Sequence, residues 1–227
     1  MSRRSATVAL AGLAAIAYDV HRLARRSGVT IDETRLPLPG DEIVAGPWWV
    51  STRAISIDAP PSAMWPWIVQ MGYPTHRAGW YTPHWLDKLM WGERPRSADE
   101  IRPELQDLKV GDMVPDSDDW SAKYVVVEVE PPSHLVLHST WHVFGPVEEA
   151  DFSWVFALKP LDDGARTRLF VRARVDYQPR WIFPFVETVV GLGDWVNVGV
   201  MLRGIRRRAE RGAAGSRDNR HSIMEDP

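Results

Sequence analysis

In the second half of the chain, apolar and polar residues alternate with a period of two. Phe152, Trp154, Phe156 and Leu158 fall on one side, and Leu169, Val171, Ala173 and Val175 repeat the pattern. Such spacing turns one strand face to a dry interior and sends Arg168, Arg172 and Arg174 the other way, where solvent is expected to cover them. Strands are predicted over residues 48–57, 123–130, 135–144, 151–160 and 166–177. Pro131-Pro132 and Asp162-Asp163-Gly164 separate neighbours at hairpin distance, so the pairing should be antiparallel.

The period changes to that of a helix in three places. Asp58, Pro60 and Pro61 form a start signal, followed by Met64, Trp67, Ile68 and Met71 at helical spacing. Pro66 lies inside that run and predicts a kink or a late start, because it removes a backbone hydrogen bond. Residues 81–90 give a second short helix, with Trp85, Leu86 and Leu89 on one face and Asp87 and Lys88 off it. Residues 180–211 are the longest helical stretch, with Phe185, Val189, Leu192, Trp195, Val196, Leu202 and Ile205 near a common face. Arg203, Arg206, Arg207, Arg208 and Arg211 gather at its end and favour the helix dipole. Four regions follow: an apolar and basic segment 1–27, a connector 28–46 rich in Gly and Pro, a domain 47–211, and a polar tail 212–227 expected to be disordered.

Strand, two short helices, antiparallel strands and a long C-terminal helix is the element order of a START-like helix-grip fold. The motifs Ile57-Asp58-Ala59-Pro60-Pro61, Trp65-Pro66-Trp67-Ile68-Val69-Gln70-Met71-Gly72, Arg77-Ala78-Gly79-Trp80-Tyr81, 101–112 and Asp151-Phe152-Ser153-Trp154 resemble the SRPBCC superfamily. The likeness is to its bacterial polyketide cyclase or dehydrase-like members, and it reaches Leu38-Pro39-Gly40-Asp41-Glu42 in the connector. The resemblance implies an α+β fold in which a curved antiparallel sheet wraps around the long C-terminal helix and leaves a cavity between them. Activities in that superfamily include lipid transfer, hormone binding, polyketide cyclisation and Rieske-type oxygenation. The last needs Cys ligands, and this chain has no Cys.

Composition narrows the remaining classes. Twelve Trp beside five Tyr and six Phe supply large flat side chains suited to cores or pocket walls. A net charge of -3 and a pI near 6.2 give no general attraction for nucleic acid. At the N-terminus the run Ala6 to Ala17 is bracketed by Arg3-Arg4 and by Arg22, Arg25 and Arg26. It is short for a membrane span, which needs about 20 apolar residues. A helix lying on a membrane or on the domain, a short anchor and a cleaved signal all fit it. The chain is accordingly placed in the cytoplasm, with membrane contact through residues 1–27. Oligomeric state is not readable.

Trp80, Tyr81 and Trp85 form the leading binding candidate, since each joins an apolar body to a hydrogen-bonding tip. Trp141, Trp154 and Trp195 complete the expected walls. Gln106 and Arg77 could add the few polar groups that a pocket needs, although Arg77 could equally neutralise Glu104 or Asp107 and fix a loop. Metal has little support. His138 and His142 lie on a predicted strand about 13 Å apart, His134 and His138 meet the same objection, and His76 and His84 belong to no ligand motif. The acidic residues of loop 115–121 suit turn chemistry, and no Gly-x-Ser-x-Gly elbow or phosphate-cradling loop occurs. Gly191-Leu192-Gly193 would loosen the long helix or admit a close neighbour. The expected role is therefore to carry or bind a small hydrophobic or aromatic molecule, uncharged or weakly polar, without cofactor or metal. The rival is a polyketide cyclase, aromatase or dehydratase using the same cavity, for which no catalytic residue can be nominated from sequence. An acid or His beside a Tyr deep inside would favour that rival.

Overall fold

The computed structural model describes residues 25–140, 149–178 and 183–224. Its elements in chain order are α1 (Ile31–Arg35), β1 (Trp49–Ile57), α2 (Pro61–Val69), α3 (His84–Trp91), β2 (Met113–Pro115), β3 (Lys123–Glu130), β4 (His134–Ser139), β5 (Glu149–Leu161), β6 (Arg166–Gln178) and α4 (Phe183–Met224). The six strands form one antiparallel sheet in the order β1-β6-β5-β4-β3-β2. With the long helix packed on its concave face, this is a helix-grip α+β fold.

Several element boundaries differ from expectation. β2 is a three-residue edge strand within a stretch that reads as loop, too short for its alternation to register. α2 starts at Pro61 and carries Pro66 in its interior. Pro66 is the sixth of nine residues, past the first turn, so its missing N–H costs the helix one backbone bond. α4 runs through Gly212 and Gly215 to Met224, where a disordered tail was expected. Among the described residues no helix is long and apolar enough to cross a membrane. Residues 1–24 lie outside the described part, and so does the expected membrane contact.

The main core fills the space between the concave sheet face, α2 and α4. Ile57, Met64, Ile68, Val126, Leu135, Leu137, Phe156, Leu169 and Val171 meet Val198, Met201, Leu202, Ile205 and Ala209 of α4 there. The alternation of β5 and β6 thus has the expected dry face. Along α4 the buried stripe is 198, 201, 205 and 209, so projecting it back one turn reaches Asp194. Trp195, expected to close the core, lies off that stripe and is 40% exposed.

Much of the other sheet face is covered by protein and not by water, although Val50 and Val125 stay exposed. Residues 25–47 cross it, and Leu38 joins Ala54, Val136, Val155, Ala157 and Phe170 in a second apolar cluster. Arg172, expected in solvent, is 3% exposed. It donates to Thr52 Oγ1 at 3.0 Å, to the Leu36 and Thr34 carbonyls at 2.9 and 3.1 Å, and to Asp41 at 2.5 Å. Arg168 binds both oxygens of Glu33 at 2.9 Å, and Arg174 donates to the Val44 carbonyl at 3.0 Å. The connector is therefore a strap. Its polar carbonyls and two acids satisfy a row of Arg that would otherwise face water.

Candidate functional site

Antiparallel register arranges the concave face in rows. Trp49, Ser51 and Arg53 alternate inward along β1 and pair with Val175, Ala173 and Val171 of β6. Those pair in turn with Phe152, Trp154 and Phe156 of β5. In the middle row the small Ala173 lies between Ser51 and Trp154, whose backbones are about 10 Å apart at ordinary strand spacing. Polar and aromatic groups thus face one another across a low floor.

An aromatic cluster stands on one side of that floor. Trp154 has Trp80 at 5.2 Å, Tyr124 at 5.7 Å and Phe156 at 5.0 Å between ring centres, and Tyr124 also meets Phe152 at 5.8 Å. These separations are ordinary for tilted and edge-on aromatic pairs. Trp80 reaches the cluster because the segment after α2 turns back through the Gly72 to Gly79 bridge.

Arg53 and Asp194 form the charged part. Arg53 points inward from β1 and is 2% exposed, and it donates to Asp194 Oδ2 of α4 at 2.6 Å. Asp194 keeps 19% of its side-chain surface accessible beside that contact. Burial raises the Asp194 carboxyl above the usual carboxylate range, and the Arg53 charge offsets that only in part. The Tyr177 hydroxyl is pushed up to about 12 by burial, with the Asp194 charge adding to it. Tyr124 is raised well above its ordinary value for the same reason, with Asp116, Tyr177 and Asp194 contributing.

Among the buried polar atoms on this face without a hydrogen-bond partner among the described residues are the indole nitrogens of Trp49, Trp80 and Trp154 and the hydroxyl of Ser51. An orphaned buried donor costs about 1–3 kcal/mol, so four together call for an acceptor that the protein itself does not supply.

The expected site residues divide. Trp80 and Trp154 come together as described. Tyr81, next to Trp80, has a left-handed backbone (φ 60°) and points to the opposite side. Its hydroxyl donates to the Trp67 carbonyl at 2.8 Å and accepts from Gln70 Nε2 at 3.0 Å, and Arg208 lies 4.7 Å over its ring. Gln106 belongs to the same network, donating to Gln70 Oε1 and the Pro66 carbonyl at 3.2 and 3.3 Å. Arg77 caps α2, donating to the carbonyls of Met71, at 2.6 Å, and Val69. It does not pair with Glu104 or Asp107, and burial lowers its pKa. These three side chains staple α2, the loop at 97–106 and α4 together, with their polar groups already engaged.

Trp85 is 66% exposed, because α3 begins only at His84 and turns Leu86 and Asp87 inward instead. Thr82 accounts for the buried Asp87 by donating to it at 2.5 Å. Trp195 stands at the surface of α4, and Trp141 lies outside the described residues. His134 and His138 are on the strap side of β4, each held by one acid, Glu128 at 2.9 Å and Asp151 at 2.7 Å.

Trp49, Ser51, Arg53, Tyr124, Tyr177 and Asp194 were not singled out from the sequence. A signal existed for three of them. Ser51 and Arg53 are polar residues sharing a face with Ile55 and Ile57, and Asp194 is an acid one turn before a buried stripe.

No protein-family model matches this chain, and no curated protein does. Solved structures of similar chain course include protein NE0264 from Nitrosomonas europaea, 15% identical over 73% of this chain and 96% of that one, TM-score 0.45. CalU16 from Micromonospora echinospora is 17% identical over 73% and 86%, TM-score 0.36. A norcoclaurine synthase point mutant from Thalictrum flavum, in complex with a transition state analogue, is 13% identical over 71% and 93%, TM-score 0.42.

Proposed function

We propose that this chain, read as a member of the SRPBCC superfamily, binds a small and largely apolar molecule between the concave sheet face and α4, as a carrier or binding protein. One observation supports this most: three indole N–H groups and one hydroxyl are buried without partners on the concave face that also carries the Arg53–Asp194 pair. Pockets that hold such ligands are mainly apolar, with a few placed polar groups. Trp80, Trp154, Phe152 and Tyr124 would supply the apolar surface, and Trp49, Ser51 and the charged pair the polar end.

The test is native mass spectrometry of the full chain for a co-purifying small molecule. It is joined to fluorescence titration with planar aromatic ketones, sterols and fatty acids against nucleotides and sugars. Saturable binding confined to nucleotides or sugars would overturn the reading. A second reading, a cyclase, aromatase or dehydratase, is favoured by Asp194, an acid paired with the buried Arg53 whose charge also acts on Tyr177. A carboxyl raised above its ordinary range suits proton transfer. Product analysis of any identified ligand after incubation with wild type and with Asp194→Asn separates the two.

A further inference from the structure

We propose that the solvent face of α4 from Trp195 to Arg211 docks against an anionic lipid surface, with its arginines at the headgroups and Trp195 and Val196 in the interfacial layer. This holds whatever molecule the concave sheet face binds. On the helical wheel Val196, Arg203 and Arg207 lie opposite the buried stripe 198, 201, 205 and 209, and Trp195, Arg206 and Arg211 flank them. Trp195 and Val196 are 40% and 41% exposed, and the four arginines are exposed as well. Those arginines border one open recess, and the whole face is about 24 Å long at the rise of an α-helix.

The helix dipole does not account for these cations. α4 continues to Met224, about three turns beyond Arg211, and the dipole acts only within the last turn. Arg206 is matched by Glu210 at 2.9 Å and Arg211 by Asp99 at 3.4 Å. The side chains of Arg203 and Arg207 have no ion pair or hydrogen bond among the described residues. Arg203, Arg207 and Arg211 stand four residues apart, where like charges repel along a helix. A negative surface relieves that repulsion, and each arginine brought to an anionic bilayer adds attraction. Trp195 and Val196 decide between polyanions. Indole and aliphatic groups gain from the interfacial layer of a membrane, as in helices that lie on one, and a nucleic-acid backbone offers no such layer. The net charge of -3 draws the molecule as a whole to no anion, so attraction has to come from a local patch such as this one.

Co-sedimentation of the full chain with vesicles tests the docking. Vesicles of phosphatidylcholine mixed equally with phosphatidylglycerol should retain the wild type, release it as salt is raised, and hold it far better than phosphatidylcholine alone. Arg203→Gln combined with Arg207→Gln should weaken binding to the mixed vesicles by about tenfold or more. Neither side chain has a partner to lose, so the thermal midpoint of that variant should be unchanged or raised. Trp195→Ala, at a position exposed enough to leave the fold intact, should weaken the same binding severalfold. All forms keep residues 1–27, so any difference between them belongs to α4. Absence of binding to the mixed vesicles, equal binding to both kinds of vesicle, or equal binding by the wild type and the double Arg variant overturns the proposal. An unchanged Trp195→Ala overturns the docked orientation. Binding of the wild type to a DNA duplex in place of the mixed vesicles, lost in the double Arg variant, gives the stripe to nucleic acid and overturns the lipid assignment.

Discussion

Arg53 and Asp194 come from positions 141 residues apart and meet where neither charge would be tolerated alone. Removing one partner of such a buried pair costs about 3–5 kcal/mol, because the other is left uncompensated, whereas replacing both with apolar residues is often close to neutral. Asp194→Leu is therefore expected to lower the denaturant midpoint strongly, and Arg53→Met combined with Asp194→Leu to recover most of it. A double variant as unstable as the single one would show that the pair is not an isolated unit. Trp195 offers a contrast. As a core residue it would lose about 3–5 kcal/mol on replacement by Ala, but at 40% exposure it should lose under about 1 kcal/mol in chemical unfolding. Gly204 is a third case, since a Cβ there would lie 2.0 Å from the Tyr81 carbonyl oxygen. Gly204→Ala would gain about 1 kcal/mol of helix propensity in isolation, yet overpacking against fixed backbone should outweigh it and depress the thermal midpoint. At Gly193, by contrast, nothing lies within 4 Å of such a Cβ.

The strap and the sheet illustrate dependence between elements. α1 is five residues long and would not persist alone, but Thr30 and Glu33 form a capping box, and the Glu33 carboxylate also holds Arg168 of β6. The Arg168 hydrogen bonds hold the Glu33 carboxyl below its ordinary 4.5, so folding favours its ionised form. The stability this adds is complete above pH 4.5 and is lost as pH falls through the lower folded value. Amide protection in residues 28–41, taken relative to intrinsic exchange at each pH, should therefore fall at acid pH while the strands β5 and β6 stay protected, and Glu33→Gln should abolish that step. Arg172→Ala removes three strap contacts at once, those to Thr34, Leu36 and Asp41, and should loosen the same segment at neutral pH. Unchanged exchange there would mean that the apolar cluster under Leu38 holds the strap by itself.

For the whole molecule, the strap shifts where the folded unit begins. The Arg25 carbonyl accepts from the Thr52 N–H at 2.9 Å, so a chain starting at residue 25 keeps every strap contact described, while one starting at 48 uncovers Val136, Val155 and Phe170. Thermal unfolding should be unaltered by the first truncation and lowered by the second, with aggregation, because an exposed apolar sheet face of that kind attracts partners. Fractionating cells that express the full chain and the form lacking residues 1–24 tests the membrane expectation, and an identical distribution would remove it. The sequence alone determined the strands and their dry face, since alternation at Phe152 to Leu158 and Leu169 to Val175 is a local pattern that burial must obey. It likewise marked the long helix and the fold that order implies. What covers the other sheet face, which way Trp80 and Tyr81 point, and which helix residue meets Arg53 were decided by tertiary structure. A row of Arg reads the same whether water or a strap satisfies it. Neighbouring residues in a loop part company through one backbone angle, and the partner of a buried charge is fixed by how two distant elements pack, which no local period encodes.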